Sequence, residues 1–171
     1  MTSLKTILIL SSLILFGAIW TYEINETSVG LPDGARTIES APPCVQMYDH
    51  LKEYSDKYGV PFNIAYGVAH KETGYNGAFH WAYNPALTSS AAAYGAMQVQ
   101  VPTANFIWHS GKKITAKRLL TDLKFNVETS MKLLAHLKKR YGSWELALGC
   151  YNTGRPLINS YALEIVHSNY K

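Results

Sequence analysis

Apolar residues recur along residues 44–171 at three- and four-residue intervals, the period of helices that lay one face on a core. Val45, Tyr48, Leu51 and Tyr58 fall near one face of Cys44–Gly59, with Pro43 suited to the first helical position and Gly59 to the stop. The stretch Pro61–Lys71 is apolar nearly all round, with Ile64, Ala65, Val68 and Ala69, which predicts a buried central helix. It runs into His70, Lys71 and Glu72, and a glycine follows at Gly74. Further helices are predicted near Pro102–Trp108, Ala116–Asp122, Leu123–Tyr141, Trp144–Tyr151 and Leu157–Ser168. Gly74–Tyr94 has no clear period and reads as a long loop with room for a small hairpin. The sequence lacks a run of alternating strand positions, so the pattern predicts a mainly α domain.

The amino-terminal pattern is different. Ile7–Trp20 is uncharged and rich in Leu and Ile, with Lys5 before it and Glu23 and Glu26 after it. Residues 1–22 are expected to form a transmembrane helix that anchors the protein, with Trp20 and Tyr22 at the interface. The alternative is a cleaved signal sequence, for which Phe16 is a poor residue three positions before a cut at Ala18. Residues 23–43 are polar and carry Gly30, Pro32, Gly34, Pro42 and Pro43, the composition of a linker. The domain then occupies residues 44–171.

Charge divides the same way. Residues 1–43 hold two cations and four anions, whereas residues 44–171 hold the other 14 cations and eight anions, a net of +6. A basic domain favours an anionic partner such as nucleic acid, membrane headgroups or a cell-wall polymer. Lys112, Lys113, Lys117 and Arg118 come with no nucleic-acid-binding motif, so no nucleic-acid partner is expected. Cys44 and Cys150 are in no CxxC motif; they are either a disulfide in an oxidising compartment or two free thiols. The six histidines show no paired ligand spacing, and neither a metal nor another cofactor is expected.

Eight carboxylates lie in the domain, most of them beside lysines or polar residues. Glu72 differs, because it ends an apolar helix and an aromatic loop follows it: Tyr75, Phe79, Trp81 and Tyr83. Partial desolvation there would raise its pKa and suit it to general-acid work. Equally, it could be a helix-end glutamate in water. Two more stretches stand out. Ser89–Asn105 is a run of small residues into Gly95, Met97 and Gln98, which fits either a ligand-hugging backbone or close helix packing. Ala147–Pro156 is an apolar helix broken at Asn152-Thr153-Gly154, with Tyr151 at its edge, either aimed into a cleft or half-buried in packing.

Together the order and spacing of these pieces resemble the lytic transglycosylases of the soluble-lytic-transglycosylase (SLT) type, over roughly residues 44–160. The family pattern runs E-S-x-[FWY]-[ND], N-P-x-x-x-S-x-x-G-A-x-G-L-M-Q, P-x-T-A, an Asn-containing helix, and A-x-x-x-Y-N-A-G. Glu72 matches the family's acid, with Thr73 in place of serine. Asn84-Pro85 through Ser89, Gly95-Ala96-Met97-Gln98, Pro102-Thr103-Ala104, Phe125-Asn126-Val127 and Tyr151-Asn152-Thr153-Gly154 match the rest. About eight extra residues follow the glutamate. Ala92 stands where the family has glycine, and Ala96 where it has leucine.

The resemblance implies a lysozyme-like helical fold and cleavage of the MurNAc–GlcNAc β-1,4 bond of peptidoglycan, with formation of a 1,6-anhydro ring. Glu72 would be the catalytic acid. Ser89, Met97, Gln98, Tyr151 and Asn152 would contact substrate, Met97 as an apolar wall. No second acid lies in the motif segments, which fits a one-acid route rather than a two-carboxylate one. Two rivals are a hydrolytic lysozyme-type muramidase and an inactive, membrane-anchored wall-binding module. The expected partners are glycan strands, the membrane through the amino-terminal helix, and an envelope-spanning or virion assembly. The expected setting is a membrane anchor with the domain in the periplasm or cell-wall space, or in a virion.

Overall fold

The computed structural model describes residues 40–109, 111 and 113–170. The expected anchor and nearly all of the linker lie outside these residues. No described helix is long and apolar enough to cross a membrane.

Seven helices and one short hairpin make up the described chain: α1 (Pro43–Tyr58), α2 (Phe62–Thr73), β1 (Ala93–Tyr94), β2 (Val99–Gln100), α3 (Val101–Trp108), α4 (Ala116–Thr121), α5 (Leu123–Tyr141), α6 (Trp144–Thr153) and α7 (Ser160–His167). Their ends follow local chemistry. Asp122 accepts from the Phe125 N–H at 2.9 Å, Ser143 from Leu146 at 3.2 Å, and Asn159 from Ala162 at 3.0 Å. Each such cap stabilises its helix by about 1 kcal/mol.

The mainly α expectation therefore holds, with three differences besides the continuation of α6 through Asn152 and Thr153 to its cap at Gly154. First, α2 extends through Glu72 and Thr73 to its cap at Gly74. Second, the hairpin lies at the end of the long loop and beyond it, pairing Ala93 with Gln100 and Tyr94 with Val99; two-residue strands are too short to show alternation. Third, α7 begins at Ser160, not Leu157. Residues 155–159 instead wrap against α6, so closely that a Cβ on Gly149 would meet the Leu157 carbonyl oxygen at 1.7 Å.

The long helix α5 is the centre of the packing, in contact with α1, α3, α4 and α6; α7 joins α6 to α2. Met47, Leu51, Val68, Val127, Met131, Leu134, Leu148 and Ile165 are fully buried among these helices. Each such side chain contributes on the order of 2 kcal/mol through the area it removes from water. Cys44 is buried in α1 and Cys150 half-buried in α6, and both are free thiols. Cys150 Sγ lies 3.9 Å from the Tyr141 hydroxyl.

Candidate active site

A cleft of about 470 Å³ opens between the end of α2, the hairpin and α6, and its walls include Glu72, Ser89, Gln98, Tyr151 and Asn152. Five of the six residues singled out from the sequence thus meet in one place. Among the described residues lining this cleft, Glu72 is the only carboxylate.

The geometry of Glu72 starts with its helix. The apolar face of α2, Ile64 to Ala69, is buried, so the last turn is driven against the core and cannot swing into solvent. Gly74 adopts φ +68, and the turn closes with the Gly74 N–H donating to the His70 carbonyl and the Tyr75 N–H to the Ala69 carbonyl. A left-handed residue here favours glycine and sends the chain away immediately after Thr73. Glu72 is left half-buried at the cleft, and its Oε1 accepts a 2.6 Å hydrogen bond from the Tyr161 hydroxyl of α7. Burial raises its pKa above the ordinary carboxylate value, and the Tyr161 hydrogen bond opposes that shift without cancelling it. Tyr161 itself is pushed well above the usual phenol range, by burial first and by the Glu72 charge second. It therefore stays a donor.

The floor of the cleft is the turn of the hairpin. Gly95 has φ +78, and a Cβ there would sit 2.3 Å from the Leu119 carbonyl oxygen and 2.5 Å from Asn126 Nδ2. The contact is close because Asn126, fully buried in α5, holds the turn from beneath. Its Nδ2 donates to the carbonyls of Tyr94 at 2.8 Å and Leu119 at 3.0 Å, and its Oδ1 accepts from Met97 N–H at 2.8 Å. Met97 corrects an expectation. Its side chain is wholly buried in the core and does not line the cleft, so it cannot act as an apolar wall. The residue acts through its backbone. Its carbonyl accepts from the Tyr151 hydroxyl at 2.6 Å.

That bond also sharpens the view of Tyr151. Its hydroxyl donates to Met97 and lies 2.8 Å from Ser130 Oγ, so Ser130 is the donor there. The Tyr151 proton is committed to the scaffold, and burial pushes its pKa far up. Gln98 spends its Nε2 on the carbonyls of Leu87 and Gly95. Ser89 Oγ accepts from Ala93 N–H at 3.2 Å and keeps its own proton to donate. Asn152 is exposed, with its Oδ1 accepting from Asn159 at 3.1 Å.

Sequence reasoning missed Tyr161. It sits at an ordinary position of an amphipathic helix, and nothing local marks it. Ala92 was noted only as a departure from a family glycine. It adopts φ +54, a left-handed conformation in which an L side chain is strained.

The site is thus a half-buried acid at a helix end, facing a cleft beside a small-residue hairpin turn in a mainly helical frame. The sequence matches the family described as Transglycosylase SLT domain over residues 49–164, and the chain belongs to that family. No curated protein sequence matches the chain. Among solved structures, the 70 kDa soluble lytic transglycosylase of Escherichia coli is similar at TM-score 0.52 and 20% identity, over 69% of this chain and 18% of that one. A complex of the 70-kDa soluble lytic transglycosylase with bulgecin A aligns at TM-score 0.53 and 20% identity, over 75% and 20%. The lytic transglycosylase Slt of Pseudomonas aeruginosa, in an inactive mutant form, aligns at TM-score 0.50 and 17% identity, over 62% and 16%. The chain thus matches about a fifth or less of the length of these structures, and the likeness is one of fold.

Proposed function

We propose that this protein is a peptidoglycan lytic transglycosylase in which Glu72 is the acid and then the base. The observation that carries the reading is a lone, half-buried carboxylate in the cleft, with one oxygen held by Tyr161 and its pKa raised. With Oε1 occupied, Oε2 is the oxygen that carries the proton toward a substrate. Glu72 protonates the glycosidic oxygen between N-acetylmuramic acid and N-acetylglucosamine, and the C1–O bond breaks with its electron pair going to that oxygen. The substrate's own N-acetyl oxygen stabilises the cationic C1, as in substrate-assisted glycosidases. The Glu72 carboxylate then takes the proton of the muramyl 6-hydroxyl, O6 bonds to C1, and the acid is restored. In this reading Ser89 donates to the N-acetyl group; its position at the cleft and its hydroxyl proton, left over after accepting from Ala93, support that role. Tyr151 acts on the scaffold, through the Met97 carbonyl.

Mass spectrometry of digested cell wall tests the reading. Anhydromuropeptides are expected; reducing ends alone would make the protein a hydrolytic muramidase, and no products would make it a binding module. The uncharged run Ile7–Trp20 supports a membrane-anchored setting with the domain in the periplasm or cell-wall space, which fractionation of the full chain tests.

A further inference from the structure

The extra segment after Glu72 returns to the fold at Tyr83, and there it meets the residue next to the acid. Tyr83 is buried, 5% exposed, against Tyr75 at 5.0 Å between ring centroids and His80 at 5.9 Å. Its hydroxyl lies 2.9 Å from Thr73 Oγ1, which also lies 2.9 Å from the Ala96 carbonyl oxygen and 3.3 Å from that of Ala69. A carbonyl only accepts, so the single Thr73 proton goes to one of these two oxygens. Tyr83 must then be the donor to Thr73. Its pKa is pushed up to about 12, by burial first, so it keeps that proton. Ala96 precedes Met97, whose N–H binds Asn126 and whose carbonyl binds Tyr151. Hydrogen bonds from Tyr83 through Thr73 to the Ala96 carbonyl, the Ala96–Met97 peptide and the Tyr151 bond to the Met97 carbonyl therefore link the residue beside Glu72 to the far wall of the cleft. Threonine suits the middle of this chain, because its β-branch restricts χ1 and so fixes where the hydroxyl points.

We infer that Tyr83 is a positioning residue for Glu72, acting through Thr73 and the Ala96 carbonyl, and that the extra loop exists in part to deliver it. The inference rests on the proposed function for its kinetic consequences but not for its geometry. A misplaced reacting group costs rate more than binding.

The experiment compares wild type with Tyr83→Phe, Thr73→Ser, Thr73→Val and the double variant Tyr83→Phe/Thr73→Val on solubilised glycan strands. Tyr83→Phe is expected to lower kcat on the order of tenfold with KM unchanged. Thr73→Ser should retain most activity, and the double variant should be no worse than Thr73→Val alone. Losses that add, an unchanged kcat, or a change confined to KM would overturn the inference. A titration of Glu72 followed by carbon NMR gives a second readout that needs no substrate. Its midpoint should fall toward the ordinary carboxylate range in Tyr83→Phe, because a loosened acid takes up water; an unmoved midpoint also overturns the inference. If wild type cleaves nothing, the proposed function fails, and this midpoint alone judges the brace. Should Tyr83→Phe fail to fold, Thr73→Val against Thr73→Ser carries the same comparison.

Discussion

Tyr161 and Glu72 are 89 residues apart in the chain and 2.6 Å apart in the fold. The hydroxyl donates to one carboxylate oxygen and favours its charged form. It thereby holds the Glu72 pKa below what burial alone would give. Removing it in Tyr161→Phe should raise that pKa, so the alkaline limb of the pH–rate profile should move to higher pH. The rate on the plateau should fall, because the carboxyl loses its orientation. A limb that moves to lower pH would contradict the geometry.

Glu72→Gln removes the proton donor and keeps a side chain that can still accept from Tyr161. Cleavage should drop by about 10²–10⁴-fold or more, with the helical circular dichroism unchanged. Stability should change in the other direction. The folded pKa of Glu72 is raised, so the native state binds more protons than the unfolded state between the two pKa values. Wild type therefore loses stability as pH rises from the ordinary carboxylate range through the raised value. Urea melts should show Glu72→Gln more stable than wild type at pH 8, with the gap closing as pH falls through the raised value to the ordinary carboxylate range.

Gly95→Ala meets two obstacles, a left-handed backbone and a Cβ driven into the Leu119 carbonyl and the Asn126 amide. The expected cost is on the order of 2–4 kcal/mol by urea denaturation, with activity lost as the hairpin turn shifts.

Ala92→Gly should act in reverse. The exposed turn already holds φ +54, and glycine relieves a strain of about 1–2 kcal/mol while adding unfolded-state entropy. A net gain of roughly 0.5 kcal/mol is expected, read as a higher melting temperature. A loss would mean that the Ala92 methyl packs usefully.

The helices were legible because each carries its own evidence. An apolar stripe faces the core, and a glycine or a capping Asp, Ser or Asn marks an end. Glu72 was legible for a related reason, since a carboxylate that ends an all-round apolar helix contradicts its surroundings. Tyr161 contradicts nothing in α7, and its partner lies in α2, so only the packing of α7 on α2 exposes its role. Met97 misled because adjacency to a motif does not say which way a side chain points. Its backbone faces Tyr151 and Asn126, and the thioether goes into the core. The path of residues 155–159 was hidden for a similar reason. Their course is set by the bare backbone of Gly149, which a pattern of apolar positions does not register.

Asn126 ties the backbone at Tyr94, Met97 and Leu119 with a single side chain. A ribosome makes Glu72 first, Asn126 more than fifty residues later and Tyr161 later still. Until those residues arrive there is nothing to hold the hairpin turn and nothing to hold the carboxyl. The growing chain carries its glutamate as an ordinary side chain in water, and the ability to hold a proton above the ordinary carboxylate range belongs only to the finished, folded molecule.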